Sequence, residues 1–265
     1  MRIFYGTLKY FNPVKIIMPY DDYIGNSFRR KIDPEYKTNR KEKNTKDPFN
    51  EDFKRQKEII LKIIEKSLPV YTLKYKGYEA DDLIAMICKI ASNDVNIVVW
   101  SNDRDLVQLQ QKFRNVRIWN PRTKNFFNNP GYDLVLYKSL VGDRSDNIKG
   151  VGGIGHKTAA KVMNSQTEFI KHVARYPEKF IKFRKNKKII DLIDNDLLLP
   201  ENLDYILNKN VEFDIKMIEE IIENNDFKSL RNNINDIKDT FMRIVSNNNN
   251  NTREWFFDKG SINGS

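Results

Sequence analysis

The chain has 265 residues, with 46 Lys and Arg against 36 Asp and Glu, a formal net charge of +10. Hydrophobic residues make up 40% and aromatics 12%, enough for a sizeable core and against wholesale disorder. A single cysteine, Cys88, excludes an internal disulfide or cysteine-rich zinc site, two histidines, His156 and His172, exclude a histidine-rich one, and no apolar run has the length of a membrane span.

Residues 2–11 carry a short apolar helical pattern without the order of a secretory signal, and Asn12-Pro13 ends it. Residues 14–18, VKIIM, predict a buried strand, with Asp21 and Asp22 at its C-terminal end. Residues 28–56 are basic, poor in aliphatics and broken by Pro34 and Pro48, which predicts an exposed excursion rather than core. Ile59, Ile60, Ile63 and Ile64 then recur at helical spacing within 51–67. A strand–helix alternation follows: a strand at 71–75, a helix at 79–92, a nearly continuous apolar strand at 95–100 (VNIVVW), a short helix at 103–110 and a strand around Val116 and Ile118. A run such as VNIVVW suits a strand buried on both faces, and the alternation predicts an α/β domain with a mostly parallel sheet. From Tyr132 on, the pattern predicts helices joined by polar loops, with a glycine cluster at 150–155. The asparagine run at 247–251 predicts a flexible spacer. The linear division is a domain over 1–130, a helical subdomain over 131–245 and a tail over 246–265.

The acids collect at the predicted strand ends, where ligands bind in open α/β sheets. Asp21 and Asp22 follow the first strand, Glu79, Asp81 and Asp82 open the helix after the second, Asp103 and Asp105 follow VNIVVW, and Asp143 and Asp146 precede the glycine cluster. Singly, each reads more readily as a solvated surface group than as a ligand, and Glu79, Asp81 and Asp82 read as first-turn residues opposing the helix dipole. Together they would repel one another unless a cation sat among them, and an all-oxygen set suits Mg²⁺, or Mn²⁺ in its place. A basic protein with an acidic metal cluster suits an anionic polymer: two ions about 4 Å apart can activate water and hold the leaving oxygen of a phosphodiester. A phosphatase with a D-x-D nucleophile is a weaker reading, because it leaves the basic segment without a purpose.

Gly150, Gly152, Gly153 and Gly155 precede Lys157 and Lys161, one helical turn apart. The pattern is that of a helix–hairpin–helix over about 142–163, which offers backbone N–H groups to a phosphate without reading bases; an ordinary glycine-rich turn is the plainer reading. The basic excursion carries Arg29, Arg30, Lys31, Lys37 and Arg40 with Phe28 and Tyr36 interleaved, a mixture that suits single-stranded nucleic acid.

The stretches FRRKIDPEYKTNR, GYEADDLIA, VVWSNDRDLVQL and LVGDRSDNIKGVGGIGHKTAAK, in this order, resemble the 5′-nuclease superfamily of bacteriophage and bacterial 5′-3′ exonucleases and flap endonucleases, over roughly residues 5–165. The resemblance implies a PIN-like sheet, a helical arch at about 28–56 and a helical DNA-binding subdomain. It implies Asp22 (or Asp21), Glu79, Asp81, Asp82, Asp103, Asp105, Asp143 and Asp146 as ligands of two Mg²⁺ ions. Lys37 and Arg40 would contact the scissile phosphate, Arg29, Arg30, Lys157, Lys161 and the hairpin glycines would bind DNA, and K⁺ would sit at the hairpin. The implied reaction is cleavage of 5′ flaps or RNA primers during DNA replication, in the cytoplasm, or in the host's if a phage encodes the chain. One departure stands out. The family's opening strand, whose D-x-x-N aspartate is a ligand, has no counterpart before the first matching helix. A start assigned too late, a split nuclease whose partner chain supplies the strand, and a DNA-junction binder that does not cut all fit that departure. Trp255-Phe256-Phe257 would suit docking on a replication protein or, equally, folding back onto the helical domain.

Overall fold

The computed structural model describes residues 2–40, 50–91, 93–194, 203–208, 212–224 and 228–250. In chain order its elements are α1 (Arg2–Phe11), β1 (Ile17–Pro19), α2 (Phe28–Ile32), α3 (Asn50–Ser67), β2 (Tyr71–Leu73), α4 (Ala80–Ile90), β3 (Ile97–Trp100), α5 (Val107–Lys112), β4 (Val116–Asn120) and β5 (Asn125–Phe126). Then come α6 (Leu134–Val141), β6 (Gly142–Asp143), β7 (Ile148–Lys149), α7 (His156–Met163), α8 (Gln166–Phe169), α9 (Pro177–Ile190), α10 (Leu203–Asn208), α11 (Ile215–Asn224), α12 (Lys228–Arg231) and α13 (Ile234–Asn250). No helix among the described residues is long and apolar enough to cross a membrane.

The chain divides into two compact units that do not follow the linear boundaries. The first comprises Met1–Tyr20, Pro48–Lys74 and Pro200–Phe256. Its strands β1 and β2 pair in parallel, Ile17 opposite Tyr71 through Pro19 opposite Leu73. The isoleucine periodicity of α3 turns Ile63 and Ile64 inward, against Leu8, Val70, Ile222 and Phe241. Part of the asparagine run departs from the expected spacer: residues 247–250 continue α13, whose Ile244 is buried, and the Asn248 amide donates to the Tyr71 hydroxyl at 3.0 Å. Trp255-Phe256-Phe257 lies outside the described residues.

The second unit comprises Asp21–Asp47, Tyr75–Leu199 and Phe257–Ser265. Here β3 pairs in parallel with β4, Ile97 opposite Val116 through Trp100 opposite Trp119, and β5 returns antiparallel on β4. Val99, Val116 and Ile118 point to a core shared with Ala85, Leu106 and Leu109. The parallel pairing read from the alternation is therefore present, divided between two small sheets. VNIVVW is not buried on both faces: Val98 and Trp100 are 38% and 40% exposed. Successive strand residues point to opposite sides, and the outward row also carries Arg117, its guanidinium 3.6 Å from the Phe126 ring centroid.

Two further differences bear on the site. Within the basic excursion Arg29, Tyr36 and Lys37 are buried, not exposed, because α2 turns Arg29 inward and Tyr36 packs with Ile148, Ile189 and Ile190, whereas Lys31, Glu35 and Arg40 are exposed as expected. Residues 41–49 of that excursion lie outside the described residues. Beyond Tyr132, where helices alone were expected, β6 and β7 form a short antiparallel pair, Gly142 opposite Lys149. It starts at Gly142, with φ +82°, where a Cβ would lie 2.4 Å from the Ile148 carbonyl oxygen. Only glycine fits such an approach.

Candidate functional site

Glu79 caps α4 from extended backbone, and Asp82 three residues on accepts the Glu79 N–H at 3.0 Å. This local arrangement, written by E-A-D-D, aims the four residues differently. Asp82 is fully buried, and Arg29 grips both of its oxygens at 2.8 and 2.7 Å while donating its Nε–H to the Ile189 carbonyl at 2.7 Å. Asp82 and Arg29, expected at the metal ions and on DNA, thus form a buried ion pair with each other. Arg30 is half-buried, and its Nε and one terminal nitrogen lack hydrogen-bond partners among the described residues.

Glu79 is buried and holds a network: its carboxylate accepts from Ser27 Oγ at 2.9 Å, from the Tyr36 hydroxyl at 3.2 Å and from Lys37 Nζ. Burial works against its charge, yet Arg29 and Lys37 hold its carboxyl below the usual range. Lys37 also lies 3.8 Å from Asp146, which Arg40 and the Tyr36 hydroxyl engage as well. The two cations expected at a scissile phosphate are thus both present, each on a carboxylate.

A third cation, missed in the sequence, plays the same part in the cleft. Lys138 on α6 donates to Asp105 and, at 2.6 Å, to Asp143. Burial opposes its charge, but the two acids raise its pKa above the lysine value. Asp143, further braced by the Ser145 N–H at 2.8 Å and hydroxyl at 2.6 Å, is held below the carboxylate range against the pull of burial. Burial wins at Asp105, whose pKa is raised despite Lys138. In the sequence Lys138 reads as one more solvated helix lysine; its position five residues before Asp143 is the signal that was there.

The remaining acids differ. Asp103 caps the turn after β3, accepting the Asp105 N–H at 2.8 Å, and Asp21 accepts the Ala80 N–H, also at 2.8 Å. Asp81 lies near both, and burial followed by the Asp103 charge pushes its carboxyl up to about 7. None of Asp21, Asp81 and Asp103 has an ion-pair partner among the described residues. Between the two expected candidates after β1, Asp21 lines the cleft, whereas Asp22 braces a loop by accepting from Asn26 at 2.8 Å and from the Gly77 N–H at 2.9 Å.

Except for Asp22 and Asp82, these acids line one cleft of about 330 Å³, together with Ser101 and Asn102. Its donor set, carboxylate oxygens without histidine or thiolate, has the chemistry of a hard divalent-ion site, and the unpaired Asp81 and Asp103 are where such a charge is missing. Among the described residues no three acids already converge as ligands, because Lys37, Arg40 and Lys138 draw the others aside.

The hairpin is built as the glycine spacing predicts. The Ile154 N–H closes a turn on the Val151 carbonyl at 3.0 Å, with Gly153 at φ +75° in the position that needs it, while Val151 and Ile154 anchor the turn in the α6–α7 core. Gly150 lets the chain pass α6, since a Cβ would lie 2.5 Å from the Val141 carbonyl oxygen. Gly155 caps α7, and Gly152, Gly153, Lys157 and Lys161 are exposed.

A model of the family described as 5′-3′ exonuclease, N-terminal resolvase-like domain, matches residues 1–133. The chain is 33% identical over 155 residues to DNA polymerase I of Synechocystis, covering 52% of this chain and 15% of that protein. It is 33% identical over 168 residues to a 5′-3′ exonuclease of Mycoplasmopsis pulmonis, covering 60% of this chain and 53% of that one. The chain therefore spans about half the length, or less, of these relatives. Its backbone is similar to that of the flap endonuclease of bacteriophage T5, crystallised as a pseudo-enzyme-product complex with DNA and metal ions, at a TM-score of 0.54 and 17% identity over 91% of this chain and 88% of that one. At that identity the likeness is one of fold.

Proposed function

The chain belongs to the family of 5′-3′ exonuclease N-terminal, resolvase-like domains, and from that premise we propose that it is a structure-specific nuclease that hydrolyses phosphodiesters at 5′ flaps or RNA primers in DNA replication. The observation that carries the proposal is the cleft in which Asp81 and Asp103, with no ion pair among the described residues, lie alongside Lys37, Arg40 and Lys138. Divalent ions, Mg²⁺ or Mn²⁺ in its place, would be held by Asp81 and Asp103 with Asp21, Glu79, Asp105, Asp143 and Asp146 around them, and would supply an activated water and charge stabilisation.

The chain's own groups have separable roles. Lys37 and Arg40 are donors that a phosphodiester can draw from Glu79 and Asp146, placing their charge where the transition state needs it. Tyr36 and Ser27 hold Glu79 in one orientation. The hairpin glycines, with Lys157 and Lys161, would grip a duplex backbone without reading its bases, and K⁺ on hairpin carbonyls belongs to the same reading. A second reading, a junction-binding protein or a nuclease subunit completed by a partner chain, is favoured by one observation: no three acids converge among the described residues.

Cleavage of a labelled 5′-flap DNA by the full chain, in Mg²⁺ and in EDTA, decides between them. The nuclease reading expects Mg²⁺-dependent cutting near the junction, reduced by at least about 10³-fold in Asp103→Ala, about 4 kcal/mol in the barrier, with flap binding retained. Binding without cutting would select the second reading.

A further inference from the structure

Outside the cleft, the densest charge in the second unit lies along α9, whose sequence PEKFIKFRKNKKII carries Lys179, Lys182 and Lys185 at three-residue steps. All three are half-buried along one edge of the helix. At one end of the row Lys179, its ammonium 4.6 Å from the Tyr176 ring centroid, reaches within 3.8 Å of where a Gly153 Cβ would be, so the row begins at the hairpin. At the other end Lys185 pairs with Asp33 at 3.0 Å, just past α2 where the basic excursion starts. Lys149 on β7 pairs with Glu35 at 3.4 Å on the same side. Lys182 sits within electrostatic reach of both pairs and has no ion pair of its own among the described residues. Burial and the like charges of Lys185 and Lys149 lower its pKa, outweighing Asp33 and Glu35.

We propose that Lys182, with Lys179 and Lys149, forms a phosphate track for double-stranded DNA that joins the hairpin to the root of the basic excursion. The proposal rests on the nucleic-acid reading above and extends it to a surface that the motifs do not mark. The chemistry favours a duplex backbone over a single strand. The row presents ammonium groups, and the exposed ring at its end, Tyr176, already carries the Lys179 ammonium over one face, whereas stacking on rings is what holds unpaired bases. Its spacing also fits: from Lys179 to Lys182 the helix rises about 4.5 Å, close to the roughly 3.4 Å axial step between phosphates on one strand. Lys182 is the position where repulsion has been left unrelieved, and a phosphate relieves it. An amine kept there for packing would have no use for its charge.

The test is the salt dependence of binding, measured in Ca²⁺ or EDTA so that no cutting intervenes. The full chain is titrated against a double-flap DNA and against a single strand of equal length. Lys182→Ala should weaken duplex-flap binding about three- to tenfold at moderate salt and reduce the slope of log K against log salt by about 0.9, one phosphate contact. Single-strand binding should not change, Lys182→Arg should restore the slope, and the melting temperature of Lys182→Ala should equal or exceed that of the parent. An unchanged slope in Lys182→Ala overturns the track and leaves the nuclease reading standing. Absence of flap binding by the parent chain overturns both. A lowered melting temperature in both variants, with equal losses on duplex and single strand, would make Lys182 a structural residue and also overturn the proposal.

Discussion

The carboxylates of this protein fall into two sets. Glu79, Asp105, Asp143 and Asp146, with Asp82 behind them, each face a lysine or arginine held within contact distance. Asp21, Asp81 and Asp103 share the same cleft and bond only to backbone N–H groups where they bond at all, and burial with the charges of Asp103 and Asp21 raises the proton affinity of Asp81. Equal residue types at equal strand ends thus carry opposite electrostatics. The first set is satisfied by the fold itself, and the second asks for a charge from outside it. The difference arises because Arg29, Lys37 and Arg40 from residues 29–40 and Lys138 from α6 all fall on the first set, and neither segment places a cation in an ion pair with the second among the described residues.

The comparison can be broken at its firmest point first. Arg29→Ala should leave Asp82 as a buried charge without a partner and cost about 3–5 kcal/mol, read as the loss of thermal or denaturant stability. A cost below 1 kcal/mol would mean that Asp82 is not a satisfied core charge. Next, Lys138→Ala removes the cation shared by Asp105 and Asp143. In EDTA it should destabilise by about 1–2 kcal/mol, and Mg²⁺ should recover more stability in this variant than in the parent. Equal recovery in both would show that Lys138 and the ion do not share ligands.

The unpaired set sharpens the contrast with the opposite sign. Asp81→Asn should raise stability in EDTA at pH 8 by about 1–2 kcal/mol. The folded protein holds the Asp81 proton more tightly than the unfolded chain does. Its contribution is therefore complete below an ordinary aspartate pKa and is lost as pH rises through about 7. The variant's advantage should fade by pH 5; an advantage that persists there would sink the like-charge explanation. The smallest effect belongs to Asp33, whose pKa burial would raise but the Lys185 hydrogen bond lowers. Its stabilisation is present above an ordinary aspartate pKa and is lost as pH falls through the lowered value. Asp33→Asn should cost less than about 1 kcal/mol at pH 7 and flatten the acid limb of a stability–pH profile.

Much of this was legible in the order of residues. The strand–helix alternation, the helix that opens at Glu79, the tight turn in the glycine cluster and the clustering of acids at strand ends all follow from local pattern, because period and turn chemistry are set within a few residues. The basic excursion misled at Arg29 and Tyr36, since composition reports charge and not partner. A salt-bridged arginine and a hydrogen-bonded tyrosine are buried by contacts more than 40 residues away. Lys138 was invisible for the same reason. VNIVVW read as fully buried because an apolar run does not say whether both faces of a sheet are covered. The helical start of the asparagine run depends on Tyr71, 177 residues from Asn248.

By itself, then, the sequence determined the kinds of element, the glycine-dependent turns and the inventory of acids and bases that meet at one cleft. The tertiary structure alone decided which acids are neutralised and which are not. It sent Asp82 into the core and Asp81 into the cleft from adjacent positions on one helix, and chose Asp21 over Asp22 for the same cleft. The physical reason is that charge pairing acts over a few ångströms of space and has no periodicity along the chain. Neighbours in sequence can therefore be given opposite fates by partners that only the fold brings near.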